Sequence, residues 1–207
     1  MKVGIVGGTF NPIHVGHLML GEYAYEEFLL DAIWFMPNGN PPHKDANTFS
    51  ISTKARIAMV ELAITGTSYF HLSKHEIEKE SVSYSYKTMK ELCEKYPENE
   101  FYFIVGSDSL FSLEQWKKPE LLFEYCTILV ACRENMDLKR VHQHIDYLKE
   151  KYACKMKLLQ MPLLEVSSSN IRSRLQENKS VKYIVPEVVH EYMTTNRLYN
   201  ETRYNNE

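Results

Sequence analysis

The stretch Gly7-Gly8-Thr9-Phe10-Asn11-Pro12-Ile13-His14-Val15-Gly16-His17 holds the residue types that phosphate chemistry needs. Glycines let a backbone come close to a ligand, and a helix starting behind them would offer unpaired N–H groups and a positive dipole end to an anion. His14 and His17 are three apart, so a helix beginning near His14 would put both imidazoles on one face of its first turn. Gly16 leaves no side chain between them to obstruct a phosphate. Two blander readings compete. A histidine pair at this spacing can bind zinc, but no third ligand with compatible spacing follows nearby, and structural zinc usually recruits cysteine. A lone histidine is more often a cap or a core residue. The glycines, the pair and the strand-turn-helix context together argue against that here.

A second candidate is Val166-Ser167-Ser168-Ser169-Asn170-Ile171-Arg172. Its serines suit the cap of a helix, and Arg172, one turn in, carries a planar donor fork that can clamp an anion. Taken alone, this would be a plain N-cap. Other nucleotide and hydrolase motifs are missing: there is no G-x-x-x-x-G-K-[ST], no G-x-G-x-x-G after the first strand, no H-E-x-x-H and no G-x-S-x-G.

These residues must be positioned by an alternation of short β-rich runs and longer helical stretches, which predicts parallel strands joined by crossover helices. Strands are expected at 3–6, 32–36, 69–72, 101–105, 127–132 and 157–160. Helices are expected at 15–30, 52–64, 86–95, 138–151, 167–177 and 187–196, with the second capped by Ser52 or Thr53. Residues 76–83 read as a connection, and Pro37-Asn38-Gly39-Asn40-Pro41-Pro42 as a loop too polar and proline-rich for the core. The expected fold is one α/β domain over 1–199, a doubly wound, Rossmann-like parallel sheet with helices on both faces. A polar tail follows at 200–207, and fraying is expected from Tyr199 onward. Ligands bind such sheets at the carboxyl ends of the strands, so the loops after the first, second and 101–105 strands should share a cleft.

The stretch ending in H-V-G-H resembles the H-x-G-H signature of the adenylyl- and cytidylyltransferase superfamily, and 166–172 resembles its second signature. More narrowly, the chain is similar to bacterial nicotinate mononucleotide adenylyltransferases over roughly 3–198. Pro37 to Lys44 resembles that family's proline-rich loop, Ser83-Tyr84-Ser85 its Ser-Tyr-Thr, Gly106-Ser107-Asp108 its Gly-Ala/Ser-Asp, and Trp116-Lys117 its substrate-ring platform. The chain departs from the pattern at Lys79 for Arg, Lys87 for Asp, Ser85 and Ser169 for Thr, and Arg133-Glu134 for Arg-Pro.

The resemblance implies a nucleotidyltransferase fold and transfer of AMP from ATP to nicotinate mononucleotide, with pyrophosphate released. His14, His17 and Arg172 would be catalytic. Gly7, Gly8, Thr9, Phe10, Gly106, Asp108, Ser167 and Ser168 would join them in binding ATP, with Asp108 accepting from ribose hydroxyls; a helix N-cap is the rival role for Asp108. Asn38, Lys44, Ser85, Trp116 and Lys117 would hold the mononucleotide, Trp116 against the pyridine ring. Mg²⁺ would be bound mainly through phosphates, with no protein side chain as ligand. The acceptor phosphate is largely dianionic at neutral pH, so neither a general base nor a covalent enzyme intermediate is expected. Alternatives are a related adenylyltransferase using nicotinamide mononucleotide or phosphopantetheine, or a non-catalytic nucleotide sensor.

Bulk properties narrow the classes further. The 207 residues carry a net charge of −3, with 44% hydrophobic and 25% charged residues. That is a folded globular composition without the clustered basic surface of a nucleic-acid binder. Four cysteines without C-x-x-C spacing suit a reducing compartment, and the apolar start is too short for a membrane span, so a cytoplasmic protein is expected. Small molecules are the expected partners; a homodimer is compatible with the sequence.

Overall fold

A computed structural model describes residues 1–39, 51–79, 82–133, 137–162 and 164–199. Six strands form one parallel sheet: β1 (Lys2–Gly8), β2 (Ala32–Pro37), β3 (Phe70–Leu72), β4 (Glu100–Gly106), β5 (Thr127–Arg133) and β6 (Met156–Met161). Their order is β3-β2-β1-β4-β5-β6. The chain winds outward from β1 through β2 to β3, then returns to lay β4 on the other side of β1. That reversal opens a crevice between the carboxyl ends of β1 and β4.

Both faces of the sheet are covered, which is why the strands read as apolar runs with little polar alternation. Along β4, Phe101, Phe103 and Val105 pack into one layer while Tyr102 and Ile104 pack into the opposite one. The first layer is closed by α3 (Ser85–Lys95), α5 (Pro119–Tyr125) and α6 (Leu138–Tyr152), through residues such as Met89, Phe123 and Ile145. The second is closed by α1 (Val15–Phe28), α2 (Thr53–Ile64), α7 (Ser168–Gln176) and α8 (Glu187–Thr195), through Ala24, Met59, Ile171 and Val189. Ser52 caps α2 by accepting from the Ala55 N–H at 3.2 Å.

Three local expectations need correction. The helix expected at 15–30 stops at Phe28 because Leu29 turns left-handed at φ 49°, a helix-ending conformation. Between β4 and β5 the chain forms α4 (Ser107–Leu110), a 3-10 turn at Leu113–Gln115 and α5, none of which was expected. Pieces this short have little intrinsic stability and show no extended 3.6-residue pattern; Leu110, Leu113 and Leu122 hold them by burial in the sheet layer. Tyr199 is also no frayed residue. It is 8% exposed, and its hydroxyl donates to Asn11 Oδ1 at 2.6 Å.

Candidate active site

His14 is the N-cap of α1, with extended backbone (φ −146°, ψ 170°), and the helix begins at Val15. The His14 N–H donates to His17 Nδ1 at 3.2 Å. The two rings stack with centroids 3.7 Å apart and planes inclined by 25°. Because Nδ1 of neutral His17 accepts, its proton sits on Nε2, leaving that N–H as a donor. Burial pulls the His14 pKa down from 6.5 to about 4. Burial, and then the neighbouring His14, hold His17 well below its ordinary value. At neutral pH the pair therefore meets a ligand as uncharged hydrogen-bond donors. Gly16 serves the pair itself: a Cβ there would stand 3.1 Å from His14 Nδ1, so the glycine makes room for the His14 ring.

The depressed pKa values set a sign. Between 6.5 and about 4 the unfolded chain binds protons at these histidines that the folded chain does not, so stability present above 6.5 is lost as pH falls. The melting temperature of the ligand-free protein is expected to drop between pH 7 and pH 5. His14 contributes up to ~1.4 kcal/mol per pH unit. His14→Asn should flatten that slope; an equally steep profile in the variant would contradict the assignment.

Phe10 enters differently from the expectation. It is buried at φ 48° with its ring T-shaped against His17 at 4.9 Å and tilted against Phe35 at 6.2 Å. Its side chain is a core wedge beneath the histidines, so only its backbone could meet a nucleotide. The second signature docks on the same loop. Ser167 caps α7 through the Asn170 N–H at 3.1 Å, the Ser168 hydroxyl donates to the Pro12 carbonyl at 2.9 Å, and Arg172 Nη1 donates to the Asn11 carbonyl at 2.8 Å. Arg172 Nη2 donates to Ser169 Oγ at 3.2 Å, so its fork is oriented from both ends.

Tyr199 completes this arrangement from the far end of the chain. Tyr199→Phe would leave Asn11 Oδ1, in a residue 3% exposed, without that donor. We expect a loss of about 1–3 kcal/mol and a lower melting temperature, by roughly 2–4 °C per kcal/mol. An unchanged melting temperature would remove the latch.

Beside these loops opens a cavity of about 750 Å³, lined among others by Gly7, Asn38, Glu76, Ser85, Gly106, Trp116 and Lys117. The cavity thus lies at the carboxyl ends of β1, β2 and β4, with Gly7, Asn38 and Gly106 on its wall. Trp116 is half-buried and T-shaped against Phe103, with centroids 6.3 Å apart. It follows the 3-10 turn in extended backbone, and Lys118 then turns left-handed before Pro119 opens α5. Ser85 is the first residue of α3, a position whose N–H has no intrahelical acceptor. Lys118 Nζ lies 5.6 Å from the Tyr86 ring centroid, and both residues line the cavity. Asp108 is exposed in the first turn of α4, whose N-cap is Gly106, so the capping role considered for Asp108 does not hold. Lys44 lies outside the described residues.

Lys79 is engaged elsewhere, with Glu91 and with His75. Two residues absent from the expectations reach the site's loops. Arg56, 1% exposed, donates to the carbonyls of Thr9 and Asn38 at 3.0 Å each. Glu76, on the cavity wall, accepts the Thr88 hydroxyl at 2.8 Å. A signal for Arg56 exists in the sequence, since it shares the buried stripe of α2 with Met59 and Val60, where a charge is rare without polar partners. Among the described residues there is no group of three or more His, Cys, Asp or Glu side chains placed to hold a metal ion, and no helix long and apolar enough to cross a membrane.

The cytidylyltransferase-like family model matches residues 5–174. A Lachnoclostridium phytofermentans protein named probable nicotinate-nucleotide adenylyltransferase is 43% identical over 198 residues, covering 96% of this chain and 98% of that one. A protein of the same name from Exiguobacterium sibiricum is 38% identical, covering 96% and 99%. Among solved structures, Plasmodium falciparum nicotinic acid mononucleotide adenylyltransferase complexed with NaAD superposes with a TM-score of 0.77 at 21% identity, covering 96% of this chain and 97% of that one. At that identity it speaks for the fold. The family match and the full-length relatives place this chain among the cytidylyltransferase-like proteins, as a member of the nicotinate-nucleotide adenylyltransferase family.

Proposed function

We propose that the chain transfers AMP from ATP to nicotinate mononucleotide, yielding nicotinate adenine dinucleotide and pyrophosphate for NAD biosynthesis. An oxygen of the mononucleotide 5′-phosphate attacks the α-phosphorus of ATP, and the bond to the pyrophosphate oxygen breaks. The observation that carries this reading is the stacked, uncharged His14/His17 pair at the N-terminus of α1, located where the strand order reverses, in a full-length relative of named adenylyltransferases.

In this reading His14 and His17 donate to triphosphate oxygens, and backbone of the Gly7 to Phe10 turn approaches the nucleotide. Arg172, with Ser167 and Ser168, holds the outer phosphates, while Asp108 beside Gly106 accepts from the ribose. Catalysis is positioning and charge stabilisation, which suits a reaction whose nucleophile is already ionised. The mononucleotide occupies the cavity, its ring on Trp116, its carboxylate on the N–H groups of Ser85 and Lys117, and Asn38 on the wall; Lys44 would neutralise its phosphate on the strength of the family resemblance alone. The histidine and arginine donors would hold the phosphates, and a Mg²⁺ ion delivered on those phosphates would neutralise their charge. Four cysteines without C-x-x-C spacing suit a reducing cytoplasm.

Pyrophosphate release with ATP, Mg²⁺ and nicotinate mononucleotide tests the reading, with nicotinamide mononucleotide as the comparison. Turnover should be faster with the nicotinate. No product above background from folded protein would defeat the proposal.

A further inference from the structure

One buried charged side chain outside both signatures ties two loops of the cleft together. Arg56 Nη1 reaches the Thr9 and Asn38 carbonyls, so a single nitrogen joins the loop after β1 to the loop after β2. The peptide that follows Asn38 therefore cannot turn its plane without breaking a hydrogen bond to a guanidinium. A second tie runs from the Asn38 N–H to the Gly8 carbonyl at 2.8 Å. The fit is close: a Cβ on Gly39 would stand 2.2 Å from the Glu76 backbone oxygen, so only glycine is accepted there.

Stability is a weak reason for this arrangement. Burying a guanidinium carries a desolvation penalty, and an apolar residue of similar size would fill the α2 stripe at no such cost. Geometry offers a better one. Thr9 belongs to the loop that leads to the histidine pair, whereas Asn38 and Glu76 line the cavity. Arg56 thus measures the separation between the two halves of the cleft.

We propose that Arg56 is a positioning residue which holds the Asn38–Gly39 peptide against the phosphate loop and so sets the distance between the acceptor phosphate and the α-phosphorus of ATP. This rests on the adenylyl-transfer reading. Its side chain touches no reacting atom and acts through the two carbonyls it holds.

The test separates binding from turnover. In Arg56→Lys, which keeps the charge but not the fork, the affinity for ATP alone and for nicotinate mononucleotide alone, measured by calorimetry, should stay close to that of the unaltered protein. Turnover should fall roughly 10–100-fold, because displacing reacting groups by about an ångström is enough to lose that much. Retained turnover in Arg56→Lys, or loss of affinity for one substrate with kcat intact, would overturn the proposal. If Arg56→Lys fails to fold, Arg56→Met, which fills the α2 stripe without a donor, decides by the same split. An unaltered protein without turnover would sink the adenylyl-transfer reading itself, whereas an active protein with indifferent variants would sink only the positioning role.

Discussion

His17→Ala is expected to lower kcat and kcat/KM together, by roughly 10²–10³-fold, the loss found when one preorganised donor to a developing charge is removed. The expectation follows from the ring's fixed state. Its Nδ1 is occupied by the His14 N–H at 3.2 Å, so the remaining N–H on Nε2 is oriented before any ligand arrives. Burial keeps the ring uncharged, so the donor is aimed without a counter-ion to displace. Alanine would also give up contacts with Phe10 and His14, for which about 1 kcal/mol and ~2–4 °C in melting temperature is a reasonable charge. That loss is far too small to explain inactivity at room temperature. His17→Asn, which restores a donor, should regain part of the rate. Near-normal turnover in His17→Ala would remove His17 from the reaction.

Trp116→Ala should instead raise KM for the mononucleotide and leave KM for ATP close to normal. Stacking of a heteroaromatic ring on an aromatic side chain is worth about 1–3 kcal/mol, which corresponds to roughly 5–150-fold in affinity. The residue is suited to that role because it lines the cavity and is braced there by a T-shaped contact with Phe103, which lines the same cavity. Its extended backbone between the 3-10 turn and the left-handed Lys118 fixes where the indole points. Trp116→Phe should keep most of the affinity, and with it the preference between the two mononucleotides. Steady-state kinetics with each substrate varied in turn would show the effect; an unchanged KM for the mononucleotide in the alanine variant would refute stacking.

Much of this protein is written in local chemistry. The apolar runs of β1, β2, β4, β5 and β6, and the helices between them, follow from burial on both faces of a parallel sheet, and alternation of strand and helix leaves few topologies. The H-x-G-H pair and the Ser167 cap are equally local, because a helix N-terminus and a spacing of three determine how those side chains stand. The short pieces between β4 and β5 could not be read that way. Their stability comes from Leu110, Leu113 and Leu122 meeting a sheet face assembled from distant segments. The burial of Phe10, the latch from Tyr199 to Asn11 across 188 residues, and the grip of Arg56 on the Thr9 and Asn38 carbonyls have the same origin. Sequence periodicity records which residues are buried; only tertiary packing decides which buried polar atoms become partners, because those partners are brought together by the closed sheet and not by the chain that precedes them.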